Sequence, residues 1–204
     1  MARPPSVTQA LVQALGWRKA LAVGLKVLQR LPWEAPFREL PRTRDSRERK
    51  SRQQIIPAIV LYRVLLRTRS QHASLEIMAE VIRAGAVEHL TRSLGDLNPE
   101  HFQALSQQQR EHTVRGWLAR FFTAETTLDE VSADSVRFTV TRCQLARLAE
   151  AAGHPELAPL FCRGDADFFA TRTPPVSMRR VQTLAEGGDA CPFELSLMSR
   201  PSDL

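Results

Sequence analysis

Hydrophobic periodicity changes once along the chain, after Thr123, and that change restricts the folds open to it. Before this point apolar residues recur at helical spacing; beyond it, alternating segments appear between helical ones. Residues 7–31 carry Val7, Leu11, Leu15, Leu21, Leu25 and Leu28 near one stripe, with lysine and arginine around it. Such a stripe suits a membrane-surface helix or one packed on its own domain. Gly16 and Gly24 weaken it as an isolated amphipath, so packing is expected. "LPWEAPFRELP" then interrupts helix through Pro32, Pro36 and Pro41. A second helix is predicted from about Arg52 through "IIPAIVLYRVLLRTR". Pro57 falls in its first turn, and Ile56, Ile59, Val60, Val64 and Leu66 form its apolar face. Ser70 can cap a third helix. Asn98 followed by Pro99 starts a fourth, running through "EHFQALSQQQREHTVRGWLARFF". His101 and His112 on it lack acidic or cysteine partners at ligand spacing and read as surface residues.

In "SVRFTVTRC", Val136, Phe138 and Val140 share one face, while Arg137, Thr139, Thr141 and Cys143 share the other, as in a half-buried strand. Leu145, Leu148, Ala149 and Ala152 return to helical spacing until Gly153 ends the helix. "PELAPLFCRGDADFF" is a further helical segment, broken by Pro174 and Pro175. "VSMRRVQTL" and "CPFELSLM" read as two strands of a hairpin around "AEGGDA". The expected fold class is α+β: a helical N-terminal part packed on a small antiparallel β-sheet that has its own helices. The boundaries drawn are a helical region over 1–130, with a basic connector at 38–52, and an α+β region over 131–204, forming one compact unit.

Hydrophobic residues make up 43% of the chain, enough for a substantial core, which excludes a disordered chain. No run of eighteen uncharged apolar residues exists, so no membrane span is expected. Arg18, Lys19 and Lys26 interrupt the apolar N-terminal residues, which argues against a signal peptide and for the cytoplasm. The net charge of +6 raises the question of nucleic acid. Its densest source is "FRELPRTRDSRERKSRQQ", where Glu39, Asp45 and Glu48 would repel phosphate and no aromatic residue after Phe37 could stack on bases. That stretch reads instead as a solvated, partly mobile connector.

Three cysteines are candidates for chemistry. In "TRCQ", Thr141 and Gln144 fit a capping box, which puts Cys143 in a first helical turn where N–H groups and Arg142 favour a thiolate. Cys162 and Asp165 are three apart in "FCRGD" and share a helix face, with Asp167 close by; Asp165 could equally cap a short helix after Gly164. Cys191 follows Gly187, Gly188 and Asp189, an ordinary hairpin signal that also lets backbone approach a ligand closely. The cysteines are separated by 19 and 29 residues, without the close pair usual in structural zinc sites. No phosphate-binding loop or nucleophile elbow is present. Neither metal nor cofactor is expected.

Together, "FTVTRCQLARLAEAAGHPELAPLFCRGDADFF" and "MRRVQTLAEGGDACPFEL" resemble the L-2-amino-thiazoline-4-carboxylic acid hydrolase family across roughly residues 136–197. The elements that carry the resemblance are a strand ending in cysteine, "PEL…LFC", an aspartate soon after, a basic residue in the next strand, and "GGD-x-C-x-F". The resemblance implies a hydrolase acting on a carbon–nitrogen bond of a small cyclic amidine-like substrate, a thiazoline ring being opened to an N-carbamoyl cysteine. It implies catalytic roles among Cys143, Cys162, Cys191, Asp165, Asp167 and Asp189, by direct thiol attack or by activating water. Arg179, Gly188, Thr183 and Phe193 are implied to bind the substrate, Arg179 by pairing with its carboxylate. Pro192 stands where relatives often have an acid. A non-catalytic ligand- or partner-binding protein of the same fold is the rival reading. A bulge or three-residue hairpin loop is expected to bring Arg179 onto the sheet face of Cys191.

Overall fold

The computed structural model describes residues 5–94, 98–171 and 176–197, so Pro174, Pro175 and Met198 lie outside the described residues. The expected helix over 7–31 is two helices, α1 (Val7–Leu15) and α2 (Trp17–Arg30). Ser6 and Gln9 form a capping box on α1, and Gly16 separates the two at a φ of 74°, a conformation few other residues adopt. The stripe divides with them. Leu11 and Leu15 pack against the core, but on α2 it is Ala20 and Val23 that are buried, whereas Leu21, Leu25 and Leu28 face outward.

Helix α3 (Ser46–Leu66) starts six residues before Arg52, capped by Asp45, so Pro57 lies in its interior rather than its first turn. Much of the supposed mobile connector is therefore ordered helix. Arg47 Nη2 donates to the carbonyls of Phe121 and Ala124, each at 3.0 Å. Glu48 pairs with Arg52 at 2.6 Å and with Arg147 at 2.7 Å. Of the acids interleaved among the arginines, Asp45 and Glu48 are fold contacts. Helix α4 (Gln71–Leu94) begins at Ser70, whose hydroxyl accepts from the Ala73 N–H. The single helix expected after Asn98 is again two, α5 (Pro99–Ala104) and α6 (Gln107–Arg120). Ser106 builds a second capping box with Gln109, and extended Leu105 breaks the run.

Strand β1 (Ala124–Val131) begins within the segment read as helical; only Val131 of its residues is buried, so it carries almost no apolar alternation. It pairs antiparallel with β2 (Ser135–Cys143). Helix α7 (Gln144–Ala151) follows, then α8 (Ala158–Ala170), β3 (Val176–Arg179) and β4 (Cys191–Leu197). The sheet is antiparallel in the order β1-β2-β4-β3, which makes the protein α+β. Its inner face carries Val136, Phe138 and Val140 beside Cys191, Phe193, Leu195 and Leu197. Phe138 and Phe193 stack at 4.6 Å across the β2–β4 pair. Among the described residues no helix is long and apolar enough to cross a membrane.

Two hydrophobic clusters result, and α4 and α8 contribute to both. Ile82 and Leu160 belong to the first, with α3 and α7; Leu90, Phe168 and Phe169 belong to the second, with α6 and the sheet. The two shared helices meet in close contact at Gly164, inside α8 rather than before a helix start. A Cβ placed there would stand 2.5 Å from the Ala86 Cβ. Gly164→Val is therefore expected to destabilise the fold by about 1–3 kcal/mol or more, because packed helices separate only by disrupting both clusters. Urea unfolding checks this, and unchanged stability would show that the α4–α8 contact is not tight.

Candidate functional site

Cys162 and Asp165 lie midway along α8, where the two clusters divide. Together with Cys143, Cys191, Phe193 and Arg180 they border a cavity of about 760 Å³. Open to solvent on one side and lined mostly by Leu, Val, Ile and Phe around these few polar groups, it is a place for solvent or a ligand.

Each polar group reaches the cavity by a local device. Strict alternation predicts Cys143 on the outer face of β2 with Thr139 and Thr141. Glu125 pairs with Arg142 but Thr126 pairs with Val140, so Thr141 is an extra residue and the bulge turns Cys143 inward. Cys143 is itself the N-cap of α7, in place of the Thr141 cap expected. Its sulfur closes no capping hydrogen bond by strict geometry, yet it lies over the N–H groups of Leu145 and Ala146. Burial raises its pKa; those two N–H groups only partly offset the effect. Cys162 is pushed up to about 12, by burial first, against the lowering influence of Arg180. Both thiols are therefore protonated at neutral pH. Cys191 pairs with Val140 through the backbone, and its Sγ accepts the Leu184 N–H at 3.1 Å. Cys143, Cys191 and Asp165 all lie within electrostatic reach of Cys162.

The expected position of Arg179 is corrected. Arg179 pairs with Glu194 in the β3–β4 ladder, on the sheet face opposite Cys191, and is 75% exposed. The hairpin is not tight either: residues 180–190 connect the strands, with a 3₁₀ turn at Leu184–Glu186. Arg180, absent from the expected site, continues the inward row of Val176 and Met178. Its side chain is 9% exposed. Nη1 donates to Asp165 Oδ2 at 3.1 Å and Nη2 to the Cys162 carbonyl at 2.8 Å. Its guanidinium lies 4.8 Å from the Phe193 ring centre. The signal was present: in "VSMRR" the apolar residues alternate inward, and the same alternation puts Arg180 in and Arg179 out.

Asp165 has its pKa raised to about 6, because burial outweighs the Arg180 charge and hydrogen bond. A third of its side-chain surface stays accessible, on the cavity it borders. The remaining expected residues stand elsewhere. Asp167 lies near Arg83 of α4, and Asp189 is exposed. Thr183 and Gly188 build the loop: the Gly188 N–H donates to the Thr183 carbonyl at 2.9 Å, and buried Thr183 Oγ1 donates to Glu186 at 2.8 Å. A Cβ on Gly188 would crowd that carbonyl at 3.0 Å. Among the described residues no three or more His, Cys, Asp or Glu are grouped to hold a metal ion.

No curated protein and no solved structure matches the chain significantly. The family model for L-2-amino-thiazoline-4-carboxylic acid hydrolase matches residues 48–195. That span begins in α3, well before the 136–197 stretch that carries the sequence resemblance, and contains Cys143, Cys162, Asp165, Arg180 and Cys191. With nearly three-quarters of its length matched, the chain belongs to the L-2-amino-thiazoline-4-carboxylic acid hydrolase family.

Proposed function

We propose that the protein opens the ring of a small cyclic amidine-like carboxylate, of the 2-amino-thiazoline type, by hydrolysis in this cavity. The observation that carries the reading is the Arg180–Asp165 pair facing the cavity beside three thiols. Each terminal nitrogen of Arg180 has a second N–H, which suits it to a substrate carboxylate. Asp165, titrating near 6, is ionised at neutral pH and basic enough to take a proton from water. The water oxygen then bonds to the amidine carbon across its C=N bond. On collapse the ring C–S bond breaks; the carbon–nitrogen bond expected to be the point of hydrolysis is only saturated, since an N-carbamoyl cysteine keeps both nitrogens on that carbon. One water proton passes through Asp165 to the departing sulfur and the other ends on the ring nitrogen, leaving an N-carbamoyl cysteine.

Water is favoured over Cys143 or Cys162 as the attacking group because burial keeps these two thiols protonated. Cys143→Ala is accordingly expected to retain activity within about tenfold, whereas a loss of about 10⁴-fold would identify a covalent nucleophile instead. Release of a free thiol from 2-amino-thiazoline-4-carboxylate measures turnover directly. Saturable binding without thiol release would leave the non-catalytic ligand-binding reading.

The cavity also bears on the substrate. A bare thiazoline carboxylate, of about nine non-hydrogen atoms, is far smaller than the drug-sized ligands that cavities of about 300–1,000 Å³ enclose. Leu94, Val114 and Leu118 line the same cavity from helices that hold none of the polar site groups. Alkyl-substituted rings are expected to be better substrates, kcat/KM rising about fourfold for each methylene buried. A preference for the unsubstituted ring would overturn this.

A further inference from the structure

The outer side of α2 is an apolar surface that the described residues leave uncovered. Trp17, Leu21, Leu25 and Leu28 follow one another at helical spacing, each between 52 and 65% exposed, and Trp33 just beyond the helix is 84% exposed. The helix is held to the protein by a different side, through Ala20 and Val23, with Val27 packed against the same cluster. Its charges are all of one sign: Arg18, Lys19, Lys26 and Arg30, with no acid. The first acid in the chain is Glu34, and it is paired with Arg30 at 3.5 Å and Arg63 at 2.8 Å. By 100° per residue, Arg18 borders the apolar stripe while Lys19, Lys26 and Arg30 fall on the opposite, polar side.

We infer that α2 docks the protein on an anionic lipid surface, with its leucine stripe at the acyl boundary and its cations drawn to the headgroups. Trp, Leu and Lys/Arg in this division are what an interfacial helix requires, and the two tryptophans place amphipathic rings where one end is apolar and the other wet. A second copy of the chain is a poorer occupant. An isologous pairing would bring together two helices that each carry four cations and no acid. An acidic protein partner would satisfy the cations but not the apolar stripe. Gly24 and Val27 of α2, with Val7 and Leu11 of α1, wall the cavity. A docked molecule thus holds its cavity about one helix diameter from the lipid, about 10 Å.

The test is sedimentation of the full chain with vesicles of phosphatidylcholine alone or of equal parts phosphatidylcholine and phosphatidylserine. The protein should bind the anionic vesicles at least about tenfold more tightly, binding should weaken with salt, and tryptophan emission should shift to the blue. Leu21→Ser with Leu25→Ser, both at exposed positions, should lower binding at least about tenfold. Lys19→Glu with Lys26→Glu should remove the preference for phosphatidylserine. Failure of the native chain to sediment with anionic vesicles overturns the inference. So does a concentration-dependent dimer abolished by the Leu21→Ser/Leu25→Ser change, which would assign the stripe to a second copy.

Discussion

Arg180→Met is expected to lower kcat/KM on a thiazoline carboxylate about 100- to 1,000-fold, while Arg179→Met leaves it within about twofold. The two arginines are adjacent in sequence and opposite in the sheet. Only Arg180 touches Asp165 and the cavity, and Arg179 meets solvent and Glu194. A second readout separates binding from simple damage. Arg180 lowers the pKa of Asp165, so removing its charge should move the acidic limb of the kcat/KM profile upward from about 6. Loss of activity in Arg179→Met, with Arg180→Met unaffected, would reverse the assignment.

Asp165→Asn should cost about 10²–10⁴ in kcat/KM and leave no limb near pH 6, because amide cannot accept the proton of the attacking water. In the native chain activity should rise with pH through about 6, as the carboxyl becomes the base. Stability should move the other way. The folded pKa lies above the ordinary carboxylate value of 3.8, so the folded state holds the proton more tightly. The stabilising effect is full below about pH 4 and is lost as pH rises through about 6, a dependence Asp165→Asn should lack. An unchanged activity profile in the variant would remove Asp165 from the reaction.

Local signals were legible where one or two residues act on their own neighbourhood. Ser70, Asn98 with Pro99, and Gly153 mark helix ends because a cap is satisfied by backbone within a few residues. The breaks at Gly16 and Ser106 had local causes too, a positive φ and a capping box. Apolar spacing continues across both, so periodicity alone does not mark them. Strand β1 was hidden for a different reason: only one of its residues is buried, and strand assignment from sequence rests on alternation.

The α+β class and the family are written in the chain itself, through the change of period after Thr123 and the cysteine-bearing segments. The site needed the tertiary structure, since residues far apart must meet with a particular parity. One extra residue at Thr141 decides that Cys143 faces inward, and ladder register decides that Arg180, not Arg179, reaches Asp165. A strand's period is two, so a shift of one residue exchanges its faces, and nothing within the strand alone records the partner's register. The exposure of the α2 stripe is of the same kind: spacing shows that a face is apolar, but only the packed neighbours determine whether it is covered.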